Sequence, residues 1–279
     1  MPDTLLPHRG NMDSRFKVSI IVISYKQRDD WLNECLRSVC AQTYAHREII
    51  FSGVRGDSNL DIAKMYPVTI VDTHPQGYGN RLAKTQINNG IRHATGEYVI
   101  VFGSDDYIYP SAVEDMMRVA EEKDSVIVYS DLHYADEKMN IIFKHKAPEF
   151  SWDRLKQTQI MNDCSLVKRV VLQEFGLFDP EWKKFAVWDM WFKIAAKYRD
   201  IHHTGRVMMK YRRHDNSMGI MAFRGDGDRT GEDLRPKFCE AHGIKRMARI
   251  EYLGNKILTV FSEDVNIMVD NEIKRVEIG

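Results

Sequence analysis

The chain has little cysteine. Four residues, Cys35, Cys40, Cys164 and Cys239, are spread over 279 positions. No C-x-x-C pair occurs, which excludes the usual spacings of a structural zinc site or a thioredoxin-like redox pair. Unpaired thiols in a reducing compartment are expected instead. The chain has no net charge, with 40 basic and 40 acidic side chains, so no nucleic-acid partner is expected. No apolar run approaches the roughly 18 residues of a membrane span. The opening MPDTLLPHRGNMDSRF lacks the apolar stretch of a secretory signal. A cytoplasmic protein is therefore expected, with peripheral contact at the inner membrane face as its closest approach to lipid. Walker, G-x-S-x-G and H-E-x-x-H motifs are also missing.

What is present is a rhythm. KVSIIVISY is short, β-branched and almost continuously apolar, as in a parallel strand covered on both faces. A helix follows from Asp29 or Asp30 to about Gln42. Further strands are read at REIIFSG, VTIVD, EYVIVFG and SVIVYSD, alternating with helices at 57–65, 80–94 and 110–123. Strand and helix at crossover spacing predict an α/β fold with a Rossmann-like, mostly parallel sheet and helices on both faces. Beyond residue 135 the pattern is mixed. Helices are expected at 151–158, 168–174, 187–198 and 228–242, and strands at 141–145 and 206–212. A small antiparallel meander closes the chain. The expected organisation is an arm over 1–16, the main domain over 17–219 and an extension over 220–279.

Ligands of such sheets bind outside the carboxyl ends of the strands, where Ser24, Gly53, Asp72 and Asp105 fall. In VFGSDDYIYP, Asp105 and Asp106 stand side by side. Adjacent carboxylates repel unless something positive sits with them. Carboxylates on a rigid strand end suit Mg2+ or Mn2+, with substrate phosphate oxygens completing the shell. The plainer alternative is that Asp106 caps the helix after Pro110. Residues 206–249 carry eleven Lys/Arg against six Asp/Glu, which suits an anionic ligand such as a diphosphate or an acidic membrane surface, or simply makes a solvated face.

These segments resemble family 2 glycosyltransferases of the GT-A fold. The resemblance covers about Lys17 to Ser217 and rests on VSIIVISYKQRDDWLNECLRSVCAQTY, NNGIRHATGEYVIVFGSDD, VVLQEFGLFDPEW, WDMWFKIA and YRRHDNS, in that order. It implies an inverting hexosyltransferase that moves a sugar from a nucleotide-diphosphate donor, a UDP-sugar above others, to a glycan or lipid-linked glycan acceptor in surface polysaccharide synthesis. Asp105, with Asp106 and His214, would hold the metal. Ser24, Tyr25, Asp57, Lys84, Ser104, Arg212 and Ser217 would line the donor site.

The departures from the family pattern are specific. Gly103 stands where the first Asp of D-x-D is usual, Gly53 where an Asp meets the base, and Ile87 where an Arg is usual. Lys84 or Arg81, earlier on the same helix, would supply the missing positive charge. The block that usually carries the catalytic base reads AVWDMWFK, which puts Val187 at the usual position and leaves Asp189 as the expected base, with a capping or supporting role as its alternative. Trp182, Trp188 and Trp191 read as core rather than as a sugar-stacking face. DGDRTGED imitates a calcium loop but meets Lys237 at the twelfth position. A non-catalytic sugar-nucleotide or glycan-binding module, and a sugar nucleotidyltransferase, stand as the other readings. The meander's edge would also allow pairing with a second copy.

Overall fold

The computed structural model describes residues 15–75, 79–214 and 234–244, and the backbone of four strands between 249 and 275. β1 (Val18–Ile23), β2 (Arg47–Val54), β3 (Thr69–Thr73) and β4 (Tyr98–Gly103) form the expected parallel half in the order β3-β2-β1-β4. Helices α1 (Asp29–Cys40), α2 (Asn59–Ala63) and α3 (Gly79–His93) make the crossovers.

Alternation along β1 assigns its two faces. Val18, Ile20 and Val22 pack with Leu32, Leu36 and Val39 of α1. Ile21 packs with Ile87 and Ile91 of α3. α3 lies so close to β1 that a Cβ on Gly90 would meet Ile21 Cγ2 at 2.4 Å, so only glycine fits there.

The second half departs from an all-parallel sheet. β5 (Tyr107–Ile108) and α4 (Ala112–Lys123) follow the acidic loop. Then come β6 (Ile127–Ala135), β7 (Ile141–His145), α5 (Trp152–Leu155), β8 (Leu166–Lys168), α6 (Arg169–Glu174), a 3-10 helix (Pro180–Phe185), α7 (Ala186–Lys197) and β9 (Ile201–Arg212). The sheet continues from β4 as β8-β6-β9-β5, with β7 on β6. β8 runs antiparallel to both β4 and β6. Three residues are too few to give a periodic signal, which is why the reversal was not expected. α1 and α4 cover one face, and α3, α6 and α7 the other. Trp188 and Trp191 are core side chains, as read.

Of the helix expected at 228–242, residues 228–233 lie outside the described residues, and the described part forms α8 (Arg235–Ala241). The meander is a separate four-stranded antiparallel sheet of β10 (Arg249–Leu253), β11 (Lys256–Val260), β12 (Asn266–Val269) and β13 (Glu272–Arg275). The calcium-like segment 226–233 and Ser217 lie outside the described residues.

Candidate active site

The carboxyl ends of β1, β2 and β4 lie side by side, and buried amides brace the ends of β1 and β2. Asn59 Oδ1 accepts hydrogen bonds from Ser24 Oγ (3.0 Å) and the Gln27 N–H (2.7 Å), and its Nδ2 donates to the Gln27 carbonyl (2.9 Å). Asp57 accepts from the N–H groups of Lys26 (2.6 Å) and Asn59 (3.2 Å). Ser24 and Asp57 thus brace the loop after β1 and leave Tyr25, 38% exposed, at its surface. Gln86 Nε2 donates to the carbonyls of both Ser24 and Ser52 at 2.7 Å. Neither Asn59 nor Gln86 was singled out in the sequence, because an amide that ties two loops together carries no local pattern.

Gly53 is closed off by its neighbours. A Cβ there would lie 2.5 Å from Leu60 Cδ2 and 2.9 Å from Phe51 Cε1. Leu60 therefore takes the volume in which a side chain at 53 would stand.

At the end of β4 the chain turns through Gly103 and Ser104. Ser104 is buried, and its N–H donates to the Ile23 carbonyl at 3.2 Å. A Cβ on Gly103 would meet Asp105 Oδ1 at 2.8 Å and Asp106 Oδ2 at 3.3 Å. Two carboxylate oxygens thus converge over the bare face of the glycine. Asp106 does not cap α4. Its Oδ1 accepts the Arg212 N–H at 2.9 Å, and burial together with the Asp105 charge pushes its carboxyl well above the usual range. Asp105 Oδ2 lies 3.1 Å from His214 Nε2, and the His214 ring packs on Trp31 at 4.7 Å.

Arg212 was expected to contact a diphosphate, and each of its three guanidinium nitrogens makes one hydrogen bond within the protein. Nε donates to the Asp105 carbonyl (2.7 Å), one terminal nitrogen to the Glu137 carbonyl and the other to the Glu34 carboxylate, while the guanidinium lies 4.7 Å over Trp31. It clamps the acidic loop. With Trp31, Glu34, Tyr107 and Glu137 it lines a cleft of about 770 Å³.

Lys84 is buried on α3, and burial lowers the pKa of its ammonium, with the Asp163 charge opposing. Its Nζ lies 3.9 Å from Asp163 Oδ2. Arg81, the alternative, pairs with Glu181. Asp189 is buried in the first turn of α7. Its Oδ1 lies 2.9 Å from His242 Nε2 and its Oδ2 2.6 Å from Lys193 Nζ. Val187, at the position usual for a base, is buried and apolar. Among the described residues no three His, Cys, Asp or Glu side chains stand as a ready metal cage. The pair over Gly103 fits a hard cation that takes one or two carboxylates and fills its shell from a phosphate.

The family model for glycosyl transferase family 2 matches residues 19–182. The chain belongs to glycosyl transferase family 2. It is 24% identical over 249 residues to YwdF of Bacillus subtilis, an uncharacterized glycosyltransferase, covering 86% of this chain and 84% of that one. It is 28% identical over 212 residues to an uncharacterized glycosyltransferase of Rickettsia typhi, covering 71% of this chain and 64% of that one. TarS of S. aureus, solved in complex with UDP, superposes with a TM-score of 0.58 at 18% identity, over 76% of this chain and 65% of that one. A second TarS structure, in complex with UDP-GlcNAc, gives the same score over 72% and 60%. The chain thus spans just under two thirds of the Rickettsia protein and of the solved TarS 1-349 chain. The fold is that of GT-A glycosyltransferases. No helix among the described residues is long and apolar enough to cross a membrane.

Proposed function

We propose that the protein transfers a sugar, with inversion, from a nucleotide-diphosphate donor to a hydroxyl of a glycan or lipid-linked glycan, in the building of a surface polysaccharide. The observation that carries this reading is the convergence of Asp105 Oδ1 and Asp106 Oδ2 over Gly103 at the carboxyl end of β4. The ends of β1 and β2, with Tyr25 exposed beside them, offer the nucleoside a surface. Asp105 and Asp106, with His214 beside them, would hold Mg2+ or Mn2+, which when bound offsets the charge that develops on the departing diphosphate. Lys84 supplies a second positive charge from α3. The UDP and UDP-GlcNAc complexes of TarS support a UDP-sugar as donor.

Thermal-shift titration with UDP, GDP and dTDP, with and without Mn2+, tests the reading. A ligand at about 100 times its Kd adds about 2.7 kcal/mol. One nucleotide should shift the protein only with the metal, and D105A should abolish the shift. A shift indifferent to metal and to D105A removes the reading. Absence of any shift across the panel favours a non-catalytic module, to which the apolar Val187 and the filled space at Gly53 already point.

A further inference from the structure

We propose that Asp163 is the general base of the transfer, positioned by Lys84; the inference rests on the transferase reading above. Inversion requires the acceptor oxygen to attack the anomeric carbon from the side opposite the diphosphate, with a carboxylate there to take its proton. Strand order says where that side is. The nucleoside surface lies at β1 and β2, the acidic pair at the end of β4, and the next strand across the sheet is β8.

β4 and β8 pair antiparallel, with Tyr98 opposite Lys168, Val99 opposite Val167 and Ile100 opposite Leu166. The pairing ends there, and the bend that leads into β8 carries Asp163. β8 lies on the side of β4 away from β1 and β2, so Asp163 comes to the acidic pair from the side away from the nucleoside surface. Its charge is among those felt by Asp106 and by the buried thiol of Cys164.

Availability separates Asp163 from Asp189. The Asp189 side chain is 2% exposed, and its two oxygens face His242 and Lys193 at 2.9 and 2.6 Å. The Asp163 side chain is 58% exposed. Its Oδ1 accepts from Gln159 Nε2 at 3.1 Å. Its Oδ2 faces Lys84 Nζ at 3.9 Å, near enough for the charges to attract but too far for a hydrogen bond. That oxygen can still accept a proton. In the step, the acceptor hydroxyl's proton passes to Asp163 Oδ2 while its oxygen bonds to the anomeric carbon. The bond from that carbon to the diphosphate oxygen breaks, and its electron pair leaves with the diphosphate.

The test measures nucleoside diphosphate release with Mn2+ from UDP-glucose, UDP-GlcNAc, UDP-galactose and GDP-mannose, with water or azide as acceptor, for wild type, D163N, D163A, D189N and D189A. D163N should lower kcat about 10²- to 10⁴-fold with KM and metal-dependent UDP binding unchanged. Azide carries no proton to remove, so it should restore release by D163A. Any loss in D189A should not be recovered by azide. A D163N enzyme within a few-fold of wild type, or recovery by azide in D189A alone, overturns the proposal and returns the role to Asp189. A wild type that neither binds nor cleaves any of the four donors overturns the transferase reading itself, and this inference with it.

Discussion

The backbone N–H of Arg212 lies 2.9 Å from Asp106 Oδ1 while its side-chain Nε donates to the Asp105 carbonyl at 2.7 Å. One residue at the end of β9 thus holds both members of the acidic pair. Replacing it with methionine leaves the carbonyls of Asp105 and Glu137 without these donors and Glu34 without its partner. R212M should lose about 2–4 kcal/mol in chemical denaturation. R212K should recover less than half, because an ammonium lacks the planar fork. Both should weaken metal-dependent UDP binding.

Gly103 keeps open the space over which the carboxylates meet. G103A places a methyl group within 2.8 Å of Asp105 Oδ1 and must turn that carboxylate aside. Metal-dependent UDP affinity, read by calorimetry, should fall about tenfold, or about 1.4 kcal/mol, with little change in stability without ligand.

Leu60 fills the space at Gly53, so restoring the family's usual Asp there costs stability. G53D should destabilise by about 1–3 kcal/mol through overpacking against Leu60. The double variant G53D/L60A should regain part of that loss, and denaturation of both proteins measures the difference. An L60A background that gives no recovery would contradict this packing account.

Glu48 accepts hydrogen bonds from Ser19 (2.6 Å), Lys17 (3.0 Å) and the Thr95 N–H (2.7 Å), at the end of the sheet opposite the site. Burial pushes its carboxyl up, but these bonds outweigh burial and hold it at about 2 instead of the ordinary 4.5. A depressed carboxyl stabilises the fold above its unfolded value, and the contribution is lost as pH falls from about 4.5 towards 2. E48Q should cost about 1–2 kcal/mol at pH 7. The wild-type and variant stabilities should converge across that acid window, with activity per folded molecule unchanged.

The sequence was most legible where structure follows a short period. The strand at Ile141–His145 falls on its expected bounds, and α3 within a residue of its own. β5 and β8, of two and three residues, are too short to show a period, and the first half of β9, IHHTG, has no clean alternation. In the site, Asp105 was legible because a strand end and a family pattern coincide there. Asn59 and Gln86 were not, since each acts by reaching a residue that only the sheet order brings near, and the same holds for the approach of Asp163 to Lys84. The phosphate role expected of Arg212 rests on a charge visible in sequence, while the two carbonyls and the carboxylate that its guanidinium meets are not visible there.

The clamp from β9 also bears on the order in which the chain acquires competence. Arg212 meets Asp105 and Asp106 across 107 and 106 positions, a separation whose loop-closure entropy makes it a late contact in folding. A nascent chain that has emerged only as far as the acidic loop after β4 carries the strands of the parallel half and both aspartates, yet lacks the side chain that fixes them. On the proposed function, donor binding would be deferred until β9 has joined the sheet, and an incomplete copy would gain no grip on a donor it could otherwise sequester.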